Sequence, residues 1–543
     1  MASAHFRFIE GDKGERVECV RRQVGHRHVE DVGRGIVRGS SHASGDIRRC
    51  AHPIVATTSV GRTVAARAII GPIRRHGFIC HAVRIARGLR TGWIIRERTI
   101  KLARGEERSM ANSPIPVELE SARTAPREWP RRYTVVVLFA LATALCYIDR
   151  VNISIAIIPL ARAKGYDAAA KGLVLSSFFW GYLWFQLLGG WMADRFGGKR
   201  VLAAGVAMWS LATFFTPPAA SISFGVLLAM RALLGAGEAL NFPAVHSLAA
   251  RWTIGSERSR AISLHFSGVA FGTIIALLIS PAIVLWLGWP SVFYISGALG
   301  IVWLAVWQLK AANGPEECAG VSPEELALIM SERAEEVALA DRIPWGRILR
   351  EPAVWAIVIA HLCNNFGFYI ILLWLPSYLT RTFAVPMASL GNFSVIPWLV
   401  AFVMQNSSGW FADGLHKRGM RMGTVRKLMQ GSAFTIGALP LLLLPIARSP
   451  EMAVALVTLS IGGTSLGGGG FVVNHFDVAP RYAGILMGIS NTAATVPGII
   501  GVAATGFILQ ATNSFSAVFY LTTIVYAAGA ICYIAMASGD RKI

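Results

Sequence analysis

From Tyr133 onward the chain is a succession of apolar runs, each roughly 20 residues long, the length an α-helix needs to cross a ~30 Å hydrocarbon core. Twelve are expected, at residues 133–160, 172–193, 200–218, 222–250, 260–287, 291–310, 353–380, 389–412, 426–447, 452–474, 482–509 and 515–537. The composition agrees. Apolar residues make up 54% of the chain and charged residues 15%, where a water-soluble domain carries about 25% charged residues. Mean hydropathy is +0.51. A disordered chain, a disulfide scaffold and an ordinary soluble enzyme are excluded. The expected fold class is an all-α membrane protein with twelve transmembrane helices.

Between the sixth and seventh runs, the stretch from Lys310 to Glu351 holds the one sustained acidic segment of the core, including Glu316, Glu317, Glu324, Glu325, Glu332, Glu335 and Glu336. It divides the chain into an N-terminal six-helix bundle at 131–310, a cytoplasmic central loop at 311–352 and a C-terminal six-helix bundle at 353–537. The Lys/Arg distribution sets the orientation. With Arg131 in the cytoplasm, the cytoplasmic connections and ends hold 21 of the 28 Lys and Arg beyond residue 130. The external loops hold five (Arg162, Lys164, Lys171, Arg381, Arg448), and Arg150 and Arg231 lie inside runs. Both termini are therefore expected on the cytoplasmic side.

The formal charge of +21 is uneven, because residues 1–130 hold 24 of the 52 Lys and Arg against 13 of the 31 acids. Between Asp46 and Glu97 ten arginines occur without one acid, the pattern of an organelle-targeting leader. Two other readings fit residues 1–110: an extension ahead of a true start at Met110, or a basic arm for nucleic acid. The leader is expected to be disordered. The membrane is expected to be the plasma (inner) membrane, or a plastid envelope if the leader is a transit peptide. Seven cysteines (Cys19, Cys50, Cys80, Cys146, Cys318, Cys363, Cys532) stand singly, with no CxxC and no His/Cys cluster. Neither a disulfide framework nor a metal site is expected.

The two halves echo one another. Gly190-Trp191-Met192-Ala193-Asp194 closes the second run and Gly409-Trp410-Phe411-Ala412-Asp413 closes the eighth, each followed by basic residues. One word at equivalent positions marks a duplicated transporter with its site between the repeats. Gly190-x-x-x-Asp194-Arg195-x-Gly197-Gly198-Lys199-Arg200 resembles the loop signature of the major facilitator superfamily.

Charges inside the hydrocarbon region cost at least ~2.5–3.5 kcal/mol each on insertion scales, so each needs a reason. The first run holds Tyr147-Ile148-Asp149-Arg150-Val151-Asn152. Neighbours along a helix point about 100° apart, so Asp149 and Arg150 need different partners. Arg150 offers a permanent cation to an anion, and Asp149 can exchange a proton. A salt bridge between spans is the alternative use. In the fourth run, Arg231 and Glu238 lie seven residues apart and so near one face. Glu238 is a second proton-carrier candidate; lasting pairing with Arg231 or Arg150 for packing is the alternative. Asn364, Asn365 and Tyr369 of the seventh run are polar groups in lipid that need partners. They face either a cavity or other helices. His246, His265 and His361 are read as satisfied core histidines rather than proton relays. Asp194 and Arg195 are read as a gate latch, with a carboxylate capping a helix N-terminus in one conformation only.

The fourth-run word from Arg231 to Pro243, the Tyr147–Asn152 word, and Asn474-His475-Phe476-Asp477-Val478-Ala479-Pro480-Arg481-Tyr482-Ala483-Gly484 with Gly488-Ile489-Ser490-Asn491-Thr492 are together similar to the anion:cation symporter family of that superfamily. The branch resembled contains sialin, the vesicular glutamate carriers and plastid phosphate and ascorbate carriers, beside bacterial sugar-acid symporters. The resemblance covers residues 131–537. It implies a carrier of small anions driven by protons or sodium, working as a monomer by alternating access. It further implies that Arg150 binds the anion, Tyr147 shapes its pocket, Asp149 and Glu238 carry protons, and Ser490 and Asn491 supply polar contacts; Arg231 is read beside Asp194 and Arg195 as a gating charge. The drug-antiporter Gly-Pro word is absent from the fifth run, which reads Ser267-Gly268-Val269-Ala270-Phe271-Gly272-Thr273. No GxxxxGK[ST] loop and no nucleophile–base–metal set occur, so ATP drive and enzyme activity are not expected. No cofactor and no nucleic-acid partner is expected for the core. A drug exporter and a transport-inactive receptor are the rival readings.

Overall fold

The computed structural model describes residues 53–57, 63–67, 129–336 and 343–543. Two compact units are distinguished, 1–126 and 127–543. In the first, the described residues form one antiparallel hairpin, β1 (Pro53–Thr57) against β2 (Thr63–Arg67), with Pro53 opposite Arg67 and Thr57 opposite Thr63. The expectation of disorder for the leader otherwise concerns residues outside the described ones.

The second unit is helical throughout its regular structure. Its first half contains α1 (Arg131–Lys164), α2 (Ala168–Phe196), α3 (Gly198–Phe214), α4 (Thr216–Ile222), α5 (Phe224–Ala239), α6 (Asn241–Trp252), α7 (Gly255–Leu287) and α8 (Trp289–Lys310). The central loop forms α9 (Pro323–Glu336) and α10 (Trp345–Arg350). The second half contains α11 (Pro352–Phe383), α12 (Met387–Lys417), α13 (Met422–Leu443), α14 (Pro450–Ser465), α15 (Phe471–Val478), α16 (Ala483–Thr512) and α17 (Ser516–Met536). Ten spans are long and apolar enough to cross a membrane, and twelve when α2 and the α3–α4 pair, each bent by 50°, are counted as one span apiece. Local chemistry sets the boundaries. Asp167, Ser223 and Ser449 cap helices by accepting the N–H of Ala170, Val226 and Met452. Pro352 and Pro450 open helices where no N–H is needed.

The two halves repeat one packing scheme. In the first, α1 lies along α7, α2 along α5, and α3 along α8; in the second, α11 lies along α16, α12 along α14, and α13 along α17. The halves meet through α2 with α16 and α7 with α12. Within the first half, α2 and α5 touch backbone to backbone. A Cβ at Gly181 would collide with the Ala232 carbonyl, and one at Gly235 with the Phe178 carbonyl. Gly181→Val should therefore cost roughly 3 kcal/mol, the upper range of overpacking. The check is a thermal melt of the detergent-solubilised protein; an unchanged midpoint would refute the contact.

Contact between the halves is graded along the membrane normal. On the external side α2 and α16 run antiparallel in register: the Ala168 N–H donates to Gln510 (3.2 Å), Gly172 abuts Gly506, Phe179 meets Gly498, and Gln186 bonds Asn491 (3.0 Å). Continued, that register would set Gly488 near Gly190 and Gly484 near Asp194. Instead no atom lies within 4 Å of a Cβ built on Gly190, Gly484 or Gly488. The 50° bend of α2 falls between Gln186 and Leu188, just where pairing stops, and Gly189-Gly190 follow it. The halves are joined externally and separate toward the basic face.

That face carries a charge chain the sequence reading did not foresee. Glu325 of α9 accepts the backbone N–H groups of Arg131 and Arg132 (both 3.0 Å) and pairs with the Arg132 side chain. Arg132 also pairs with Glu257 of α7 at 2.8 Å. A carboxylate at a helix N-terminus meets the positive end of the helix dipole, so the central loop is tied to the start of α1.

Candidate functional site

The lone cation of the first span turns toward the fourth. Arg150 donates from Nη2 and Nε to one oxygen of Glu238, Oε2, at 2.8 and 3.0 Å. The thiol of Cys146, one turn back on α1, donates to the same oxygen at 3.1 Å. Arg150 Nη1 reaches the Tyr147 hydroxyl at 3.4 Å. Three rings surround the guanidinium, with centroids 4.6 Å (Tyr147), 4.7 Å (Phe178) and 4.9 Å (Tyr182) from Cζ. Such faces are electron-rich and stabilise a cation that has lost water. Phe178 and Tyr182 stand four residues apart on α2, hence on one face. Arg150 is 3% exposed and Glu238 wholly buried.

The sequence left Arg150 to an anion or to a salt bridge between spans; here its fork is engaged by Glu238. The physical reason is the surroundings. A buried cation without a counter-charge is costly, and breaking such a pair by removing one partner costs about 3–5 kcal/mol.

Asp149 turns the other way. Neither of its oxygens has a hydrogen-bond partner among the described residues, nor do Nε and Nη1 of Arg231, and both residues are buried. Each acts electrostatically on the other. Arg231 thus sits in the first-half core with Asp149, Arg150 and Glu238, not with Asp194 and Arg195. Those two are exposed at the end of α2, with no ion pair among the described residues.

The second half supplies the facing wall. Tyr369 of α11 packs on Phe179 (4.5 Å between centroids), and Asn365 donates to the Tyr369 hydroxyl (3.4 Å) and the Ala494 carbonyl (3.3 Å). Asn491 donates to Gln186, and Gln186 to Thr492 at 3.3 Å, a polar bridge across the halves. Asn364 leaves its buried Oδ1 without a partner. Ser490 lies between two histidines, 3.1 Å from His361 Nδ1 and 2.9 Å from His475 Nε2. His475 Nδ1 faces the Val472 carbonyl at 2.8 Å. A carbonyl only accepts, so His475 donates from Nδ1 and, as a neutral ring, offers Nε2 as an acceptor; the one Ser490 proton is directed to the Met487 carbonyl (3.1 Å) or to that nitrogen, and His361 then donates to Ser490. Among the described residues no group of three or more His, Cys, Asp or Glu could hold a metal ion.

Sequence reasoning missed Cys146, Phe178, Tyr182, Gln186 and His475. Two signals were available: a Phe178/Tyr182 pair at helical spacing, and a Gln in the middle of an apolar run.

The family model described as Major Facilitator Superfamily matches residues 139–502. Similar chains include "Probable anion transporter 4, chloroplastic" of rice (Oryza sativa subsp. japonica), 43% identical over 77% of this chain and 70% of that one. The "Ascorbate transporter, chloroplastic" of Arabidopsis thaliana is 41% identical over 78% of each. The "Sodium-dependent phosphate transport protein 1, chloroplastic" of the same plant is 42% identical over 77% and 81%. Among solved structures, a bacterial homologue of the human lysosomal transporter Spinster, inward-facing and occupied, matches with a TM-score of 0.62. At 18% identity over 75% of this chain and 97% of that one, the likeness is of the fold alone.

Proposed function

This chain belongs to the major facilitator superfamily, and from that premise we propose that it carries a small anion together with a proton by alternating access. It is a multi-pass membrane transporter, not an enzyme. The observation that carries the reading is the buried contact of Arg150 with Glu238.

Four charges lie in the first-half core: Arg150, Arg231, Asp149 and Glu238. With all four ionised they cancel, which suits an empty carrier that must reorient through a low-dielectric setting. One proton on Glu238 removes its charge and releases Arg150, leaving a single positive charge. A bound monoanion restores neutrality. Proton and anion therefore enter and leave as a pair. Tyr147 borders the guanidinium, while Tyr369, Asn365, Ser490 and Asn491 furnish hydrogen-bonding groups on the opposing wall. Asp149, on which Arg231 acts as an opposite charge, is a second proton carrier. Asp194 and Arg195 would latch the basic face in the state in which it closes. The relatives' plastid location supports an envelope membrane for this chain, with the Arg-rich leader as its targeting segment.

The test is uptake into proteoliposomes, using labelled ascorbate and labelled inorganic phosphate as probes suggested by the relatives. Accumulation against the gradient is expected when the outside is acidic and sodium is absent. Accumulation that needs sodium instead would reassign the coupling ion. Absence of flux for every small anion would favour a receptor.

A further inference from the structure

Of the five cations on the external side, three converge on one cleft. Arg162 of α1, Lys171 of α2 and Arg381 of α11 line a cavity of about 290 Å³ at the outer junction of the halves, with Ser377, Trp374 and Phe515 among its walls. Arg162 and Lys171 come from the first half and Arg381 from the second. Like charges gathered in one recess repel each other, and the positive-inside rule disfavours cations on this side. Their convergence needs a reason.

No acid of the described residues lines this cleft. Asp167, the one acid between residues 162 and 171, caps α2 by accepting the Ala170 N–H at 2.7 Å. Arg162 and Arg381 both act on the Lys171 ammonium. Arg381 is oriented by a hydrogen bond to Asn513. Ser377 adds a second kind of observation: it is 6% exposed, lines the cleft, and its hydroxyl has no hydrogen-bond partner. The neighbouring hydroxyl of Thr380 is already bonded to the Pro376 and Ser377 carbonyls. An unpartnered donor beside three cations, walled by Trp374 and Phe515, is a recess for a small oxyanion.

We propose that this cleft is a second anion site, separate from Arg150, which takes a small oxyanion such as phosphate or sulfate from the external side and holds the outer junction closed. Because its cations come from both halves, the site exists only while the outer ends are together. An occupant binds that state and stabilises it, by linkage. External oxyanion should then slow the return to the outward-open state, a consequence that rests on the carrier reading, whereas the binding itself does not.

The experiment is calorimetric titration of the detergent-purified full chain with inorganic phosphate and, separately, sulfate. Binding is expected to weaken at least tenfold in the double variant Lys171→Gln/Arg381→Gln. Ser377→Ala, which removes only a hydroxyl, should weaken it about threefold and guards against misfolding of the double variant. Undiminished affinity in both the double variant and Ser377→Ala, or no binding by the wild type, overturns the proposal. In proteoliposomes, saturating external sulfate should lower the maximal uptake rate severalfold at unchanged KM. If titration shows the site while no anion is transported at all, the carrier reading fails and the site stands.

Discussion

Arg150→Ala is expected to reduce anion uptake to background while the protein still enters the membrane. Two charge-assisted hydrogen bonds from this guanidinium are available to a substrate once Glu238 lets go. Bonds to charged groups are worth about 1.5–3 kcal/mol each, so losing both weakens anion binding by at least ~100-fold. The variant also leaves Glu238 buried without its cation, a loss of about 3–5 kcal/mol unless the carboxyl takes a proton. Adding Glu238→Gln removes the orphaned charge. The double variant should therefore recover thermal stability without recovering uptake. Arg150→Lys keeps the charge and loses the planar fork, and should fall between the two. Vesicle uptake with size-exclusion and melting controls measures all of this. Normal uptake by Arg150→Ala would remove Arg150 from the substrate site.

Glu238→Gln should separate exchange from accumulation. The amide mimics the protonated acid: it frees Arg150 permanently and leaves the core with one fixed positive charge. An anion can then bind and cross in exchange for another, but an empty, neutral carrier no longer forms, and net uphill transport stops. The pH dependence has a definite sign. In the wild type, anion affinity should rise as pH falls, because protonation releases Arg150. In the variant, affinity should be flat with pH and close to the wild-type value at low pH. Binding titrations at two pH values together with counterflow read both effects. Proton-driven accumulation by Glu238→Gln at the wild-type level would assign coupling elsewhere, with Asp149 the next residue to test.

The helices were legible because hydrocarbon thickness imposes their length. Ends such as Arg131–Lys164 against the expected 133–160 differ only where basic or polar turns extend past the apolar run. The repeat was legible from Gly190–Asp194 and Gly409–Asp413, and the packing scheme of the halves matches it. Pairing was a different matter. Arg150 and Glu238 are 88 residues apart, and spacing along α5 allows Glu238 to face Arg231 just as well. Only the packing of α5 on α2 and α1 decides between them. Gln186 and Asn491, 305 residues apart, meet because α2 and α16 run antiparallel. The bend of α2 depends on where that contact ends, and a single helix's pattern holds no record of it. His361 is satisfied by Ser490 of α16, which also meets His475 of α15, partners that a single helix's pattern cannot name. The external cations were counted one by one as topology markers; their convergence is a property of the assembled halves.

Two of the three nitrogens of Arg150 rest on Oε2 of Glu238, and the other oxygen, Oε1, is buried with no hydrogen-bond partner among the described residues. A carboxylic acid carries its hydrogen on one oxygen only. The bare atom can thus be acidified while its twin is still clasped, and the grip slackens through loss of charge before any atom has to move. A guanidinium stripped of every companion inside the bilayer is never an obligatory stage of the cycle. On the proposed proton-coupled cycle, the order of arrival would be hydrogen ion first, cargo second, and on the far side the reverse.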